Sequence, residues 1–120
     1  VPYALHPLDA QQDFLWHGMS LRAFRQFCPG IPGVDGSYEM DVAYGYRLQW
    51  EGVAVCYAAS SYKTAALRGN VAGSDLSILQ LMRPLAEPSR RDEAYSFDEL
   101  AEIGRHSRES VIVYSRDEIK

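Results

Sequence analysis

Three side chains beside short apolar runs carry most of the chemistry this sequence offers. His17 stands before Gly18 at the end of Phe14 to His17, Tyr57 lies within Val53 to Ala58, and Glu109 leads into Val111-Ile112-Val113-Tyr114. The hydroxyls of Ser20, Tyr62 and Thr64 fall close to the same runs. An imidazole is a directional donor or acceptor at neutral pH. A glycine lets backbone approach a flat ligand closely, and a carboxylate stabilises positive charge that develops beside it. Other chemistries find less support. Three histidines and two cysteines show no metal-ligand spacing, so no metal site is expected. There is no GxGxxG fingerprint, no Walker loop and no serine nucleophile elbow. Cys56 sits in an apolar run, where a buried, inert thiol is the common case, and Cys28 precedes Pro29-Gly30 in an expected turn.

These residues need elements to position them. Residues 1–12, with Pro2 and Pro7, read as an extended lead-in. Phe14 to His17 reads as a strand. Leu21, Phe24 and Phe27 share a face at helical spacing, so Leu21 to Phe27 reads as a helix capped by Ser20 and stopped by Pro29-Gly30. Ile31 to Gly45, rich in Gly, Pro, Asp and Tyr, reads as an irregular loop. Tyr46 to Trp50 and Val53 to Ala58 read as strands joined by a turn at Glu51-Gly52. Ser60 or Ser61 can cap a helix running to about Arg68 and closed by Gly69. Leu76 to Met82 reads as a strand, and Glu87 to Glu93 as a charged connector. Ser96-Phe97-Asp98-Glu99 is a capping box before Leu100 and Ile103, with Gly104 as terminator. Ser110 to Tyr114 is the last strand. The order specifies one α+β domain over residues 1–120.

Bulk properties agree with a single core. The chain has 120 residues, 47% of them hydrophobic, and a formal net charge of −4. That length supports one core, not two. The mild acidity argues against a partner held chiefly by neutralising phosphates. No apolar stretch reaches the ~20 residues that span a bilayer, so no membrane partner is expected. The chain starts at Val1, which is expected of a domain cut from the C-terminal part of a longer polypeptide.

Three stretches, in this order, resemble the diphtheria-toxin and poly(ADP-ribose)-polymerase branch of the ADP-ribosyltransferases, the His-Tyr-Glu class. They are Leu15-Trp16-His17-Gly18, Val55 to Ala66, and Glu109 to Tyr114 with the residues to Ile119. The resemblance implies split antiparallel β-sheets with a few short helices. It implies NAD as substrate, with no metal. His17 would hydrogen-bond the ribose and the Gly18 backbone the nicotinamide carboxamide, with Ser20 and Tyr62 also on the dinucleotide. Tyr57 would pack on nicotinamide, Thr64 would bind the carboxamide, and Glu109 would stabilise the oxocarbenium-like transition state.

Two register questions stay open within the resemblance. Matching through Lys63-Thr64-Ala65 puts Cys56, not Tyr57, at the first aromatic position, and Leu67 at the second. Matching on Ile112-Val113-Tyr114 puts Ser110, not Glu109, at the acid position. A one-residue bulge in each strand would restore Tyr57 and Glu109.

The implied activity is an NAD-dependent ADP-ribosyltransferase of a toxin or effector, passing ADP-ribose to a protein or RNA acceptor. It would act in the cytosol of a target cell and be opposed by an immunity protein. NAD hydrolysis, RNA 2′-phosphotransfer and a catalytically dead binding module of that fold are the alternatives.

Overall fold

Alternating side chains, rather than helical spacing, organise the first half of the chain. The computed structural model describes residues 3, 5–32, 38–81 and 93–114. The elements run β1 (Asp13–Trp16), β2 (Met19–Pro32), β3 (Tyr38–Trp50), β4 (Val53–Ala58), α1 (Ala65–Val71), β5 (Leu76–Gln80), α2 (Phe97–Gly104) and β6 (Glu109–Val113). The α+β class read from the sequence is correct.

All six strands form one mixed sheet in the order β1-β2-β3-β4-β5-β6. β1 to β4 are an antiparallel meander. β4, β5 and β6 are mutually parallel, with α1 and α2 as the crossovers that parallel neighbours require. Split antiparallel sheets, expected from the resemblance, are therefore absent among the described residues.

Two hairpins with two-residue turns set the meander. His17 (φ 48°) and Gly18 (φ 80°) make one, Glu51 (φ 50°) and Gly52 (φ 79°) the other. Positive φ at both central positions is the geometry that matches strand twist, and glycine in second place accepts it without strain. The turn read at Glu51-Gly52 is thus correct.

The helix expected over Leu21 to Phe27 is a strand. A short apolar run satisfies both periodicities, and long-range pairing decides between them. Here β2 pairs with β3 from Met19↔Trp50 to Pro29↔Met40. The loop expected over Ile31 to Gly45 is largely replaced by that partner strand. Most of the connector expected over Glu87 to Glu93 lies outside the described residues.

Both helices pack on the same face of the sheet. Alternation puts Phe24, Cys56 and Leu79 there, where they meet Leu67 and Val71 of α1 and Leu100 and Ile103 of α2, all buried. α2 begins at the expected capping box: Ser96 Oγ accepts from the Glu99 N–H (3.2 Å) and Glu99 Oε1 from the Ser96 N–H (3.0 Å). Arg47 of β3 tethers the other end of α1, donating to the Asn70 carbonyl (2.7 Å) and Ser74 Oγ (2.7 Å). Guanidinium at a helix C-terminus satisfies carbonyls that the helix leaves open.

Among the described residues the opposite face carries no helix. It presents Trp50, Val53, Val111 and Tyr46 to solvent, 54%, 53%, 47% and 40% exposed.

Candidate functional site

In open α/β sheets, ligands sit outside the carboxyl ends of the parallel strands. Here those ends are Ala58, Gln80 and Val113. The described chain at this rim is the segment 59–64, which links β4 to α1, together with the end of β2.

A buried amide builds the rim. Gln26, fully buried on β2, donates through Nε2 to the Ala59 carbonyl (2.9 Å) and to Ser61 Oγ (3.0 Å). Its Oε1 accepts from the Ala59 N–H (2.8 Å). An amide with both ends paired fixes a segment that has no ladder of its own. Tyr62 adds single bridges to Phe27 and to Ala94, and its N–H donates to the Phe27 carbonyl (2.7 Å). The Tyr95 hydroxyl clamps the backbone of Thr64, accepting from its N–H (3.0 Å) and donating to its carbonyl (2.9 Å). Thr64 Oγ1 then caps α1 by accepting from the Ala66 N–H (3.1 Å). The cap expected from Ser60 or Ser61 thus falls on Thr64.

One ion pair stands at the rim. Lys63 Nζ lies 2.8 Å from Glu99 Oε2. That ammonium, with the Ser96 N–H, holds the Glu99 carboxyl below its usual range. Two shallow depressions flank the segment. One, of about 760 Å³, is bordered by Asp9, Gln11, Arg25, Phe27 and Thr64. The other, of about 500 Å³, is bordered by Lys63, Thr64, Arg68 and Tyr95. Among the described residues no three His, Cys, Asp or Glu side chains come together in a way that could hold a metal ion.

The residues singled out in the sequence are dispersed. His17 and Gly18 form the exposed β1–β2 turn, and Ser20 follows on β2, paired with Leu15 and Gln49. The His17 imidazole stands edge-on to Trp16, ring centroids 4.4 Å apart. Glu109 opens β6, at the same end of the sheet but on the far edge strand. Four strand spacings separate β2 from β6, about 19 Å. Tyr57 is on the helix-free face, its hydroxyl donating to Gln80 Oε1 (3.3 Å). Tyr62 is buried and Thr64 is a helix cap, both at the opposite end from His17 and Glu109.

No shared pocket joins imidazole and carboxylate, and neither bulge is present. Pairing runs without a shift from Val55↔Leu76 to Ala58↔Leu79 and from Leu76↔Glu109 to Gln80↔Val113. Gln26 is the rim residue that the sequence reading missed, because it lay in a segment read as helix. A polar side chain in step with Phe24 at strand spacing was the available signal.

No protein-family model matches this chain, and a comparison with curated proteins returns no match. Solved structures do resemble it. Human tRNase Z, short form, matches at a TM-score of 0.58 and 15% identity, over 87% of this chain and 39% of that one. The metallo-β-lactamase fold protein YhfI from Bacillus subtilis matches at 0.52 and 12%, over 90% and 52%. Zn²⁺-bound PqqB from Methylobacterium extorquens matches at 0.48 and 16%, over 60% and 26%. The chain therefore resembles part of the metallo-β-lactamase fold and spans only about a quarter to a half of the length of these structures.

These likenesses overturn the resemblance to the ADP-ribosyltransferases. The short motifs that suggested it are a hairpin turn (His17-Gly18), a strand-to-helix connection (Val55 to Ala66) and an edge strand (Glu109 to Val113). All three are local features that different folds share. The NAD-dependent transferase activity, its toxin setting, the alternatives of NAD hydrolysis, RNA 2′-phosphotransfer and a dead binding module of that fold, and NAD as substrate fall with it.

Proposed function

We propose that this chain is one α/β layer of a metallo-β-lactamase-type hydrolase, serving as scaffold for a site that needs a second layer. The carrying observation is the sheet itself: helices cover one face, the other is apolar and open, and the fold-alike structures extend well beyond the matched part, which is 39% of one and 52% of the other. The donor chemistry agrees. At the rim of the strand carboxyl ends, the Gln26 amide, the Ser61 and Thr64 hydroxyls and the Lys63 ammonium are all engaged within the fold. Catalytic zinc takes three side chains from His, Cys, Asp or Glu, a set that the described residues do not assemble. A metal such as zinc therefore does not fit these residues alone, and no catalytic step is assigned to them. The substrate does not transfer from the neighbours either: tRNase Z is a nuclease by name, and YhfI is named by fold only.

Zinc calorimetry on the isolated chain, with a phosphodiester reporter assayed in parallel, tests this reading. The expected result is neither stoichiometric zinc uptake nor zinc-dependent turnover. Stoichiometric uptake abolished by substituting a described His, Cys, Asp or Glu would overturn it.

A further inference from the structure

We propose that the outer edge of β2 at Arg25 binds an extended peptide of a partner protein, one whose central residue there carries a carboxylate side chain. The site uses no metal and does not depend on the single-layer reading.

Strand alternation finds the place. The two-residue turn at His17-Gly18 makes Trp16↔Met19 a pair that exchanges both backbone bonds. The N–H and C=O of Met19 therefore point to β1 and away from β3. Every second residue of β2 points the same way, through Leu21, Ala23, Arg25 and Phe27. Two bonds agree with that phase. The Ala23 carbonyl accepts from the Gln11 N–H (2.8 Å), and the Phe27 carbonyl from the Tyr62 N–H (2.7 Å). Arg25 stands midway between them, and among the described residues nothing bonds to its N–H or C=O on that edge.

The gap has a cause on each side. β1 stops pairing at Asp13↔Arg22. The lead then turns: the Gln12 N–H donates to the Asp9 carbonyl (3.2 Å) and Gln11 has φ 64°, so no ladder continues past Ala23. From the other side Tyr62 reaches Phe27 as a single bridge, and the chain enters α1 at Ala65. What remains is an open ladder position at Arg25, inside the depression of about 760 Å³ that Asp9, Gln11, Arg25, Phe27, Thr64 and Ala66 border. Ligand clefts run to about 300–1,000 Å³. Described residues bound this one at both ends, at Gln11 and at Tyr62.

The chemistry of the occupant follows from the ladder. A donor and an acceptor on one edge residue complement the C=O and N–H of another extended residue, and an antiparallel partner engages both at once. The residue opposite Arg25 shows its side chain on the same face as the guanidinium. Arg25 is exposed, and among the described residues it makes no ion pair, whereas Arg22 and Lys63 are held by Asp13 and Glu99. A carboxylate is the group that such a cation favours across a strand pair. The residues on either side of the central one point to the helix face, where Thr64 and Ala66 stand, so small side chains are expected there. Asp9, on the Gln11 side, disfavours a second acid. Residues two places from the centre would meet Gln11 and Tyr62, so the ladder takes about three residues.

Amide nuclear magnetic resonance titration of the 120-residue chain is the test. The probes are acetyl-Ala-Glu-Ala-amide, the same peptide N-methylated at its Glu, and acetyl-Ala-Lys-Ala-amide. The Glu peptide is expected to shift the Arg25 and Phe27 amides saturably. Methylation removes the N–H that the Arg25 carbonyl would accept, and is expected to abolish the shift. The Lys peptide is expected to bind about threefold or more weakly, and Arg25→Glu to reverse the order of the Glu and Lys peptides. Arg25 is exposed, so the variant is expected to fold, with an unchanged amide spectrum away from β2 as the check. No saturable shift at Arg25, an equal response to the methylated peptide, or an order that Arg25→Glu leaves unchanged would overturn the proposal. So would broadening of the Arg25 and Phe27 amides that grows with protein concentration alone, because a second copy would then fill the edge.

Discussion

The ring of Phe24 lies across Gly45 of the neighbouring strand, so close that a Cβ on Gly45 would come within 2.2 Å of its Cζ. The pair joins β2 to β3 under the helices, and the absence of a side chain at Gly45 is what lets the ring lie flat in the core. Gly45→Ala is expected to lower stability by about 1–3 kcal/mol, the usual cost of overpacking. Phe24→Ala is expected to cost about 3–5 kcal/mol, because it empties the same space. Urea denaturation of the two variants checks both values.

Gln26→Leu keeps the volume but strands its partners. The Ala59 N–H and carbonyl lose their bonds, and an unsatisfied buried group costs about 1–3 kcal/mol. The loss is also expected to be local. Amide exchange at Ala59 and Tyr62 should accelerate more than exchange in the centre of β4, as measured by hydrogen exchange.

Two ion pairs give the acid limb of stability its sign. The Arg22 guanidinium, 2.7 Å away, lowers the Asp13 carboxyl from its ordinary 3.8. The Lys63 ammonium, then the Ser96 N–H, lower Glu99 from 4.5. Depressed folded values mean that the contribution is complete above those ordinary values and is lost as pH falls through the lower folded ones. Both pairs are half exposed, so the effect is small. Lys63→Met should flatten the acid limb, and thermal melts across pH 2–6 should show stability rising with pH in the parent chain.

Cys56 is fully buried on β4, and burial pushes its thiol up to about 11. Since the thiolate is the nucleophile, iodoacetamide at mildly alkaline pH is expected to leave Cys56 unmodified until the chain unfolds. Mass spectrometry of digests made with and without denaturant reads this directly.

Local signals in the sequence were legible where a short motif closes on itself. The Ser96 capping box, the Glu51-Gly52 turn and the strand Val53–Ala58 needed no distant partner. Leu21 to Phe27 was illegible because its helical and strand periodicities coincide, and only pairing with β3 separates them. The site was illegible for a related reason. His17, Tyr57 and Glu109 stand near strand ends, but one-dimensional order does not say which end of the sheet each strand presents. With β4, β5 and β6 parallel, Glu109 opens its strand at the end opposite the rim that Gln26 and Thr64 build.

The sense of the β5–β6 pair tests the account most directly, because the layer, its bare face and the dispersal of the predicted site all follow from it. Cross-strand nuclear Overhauser effects on labelled protein report that sense. Contacts consistent with parallel pairing, placing Ile78 beside Val111 and Gln80 beside Val113, are the predicted result. An antiparallel pattern between these strands would contradict it.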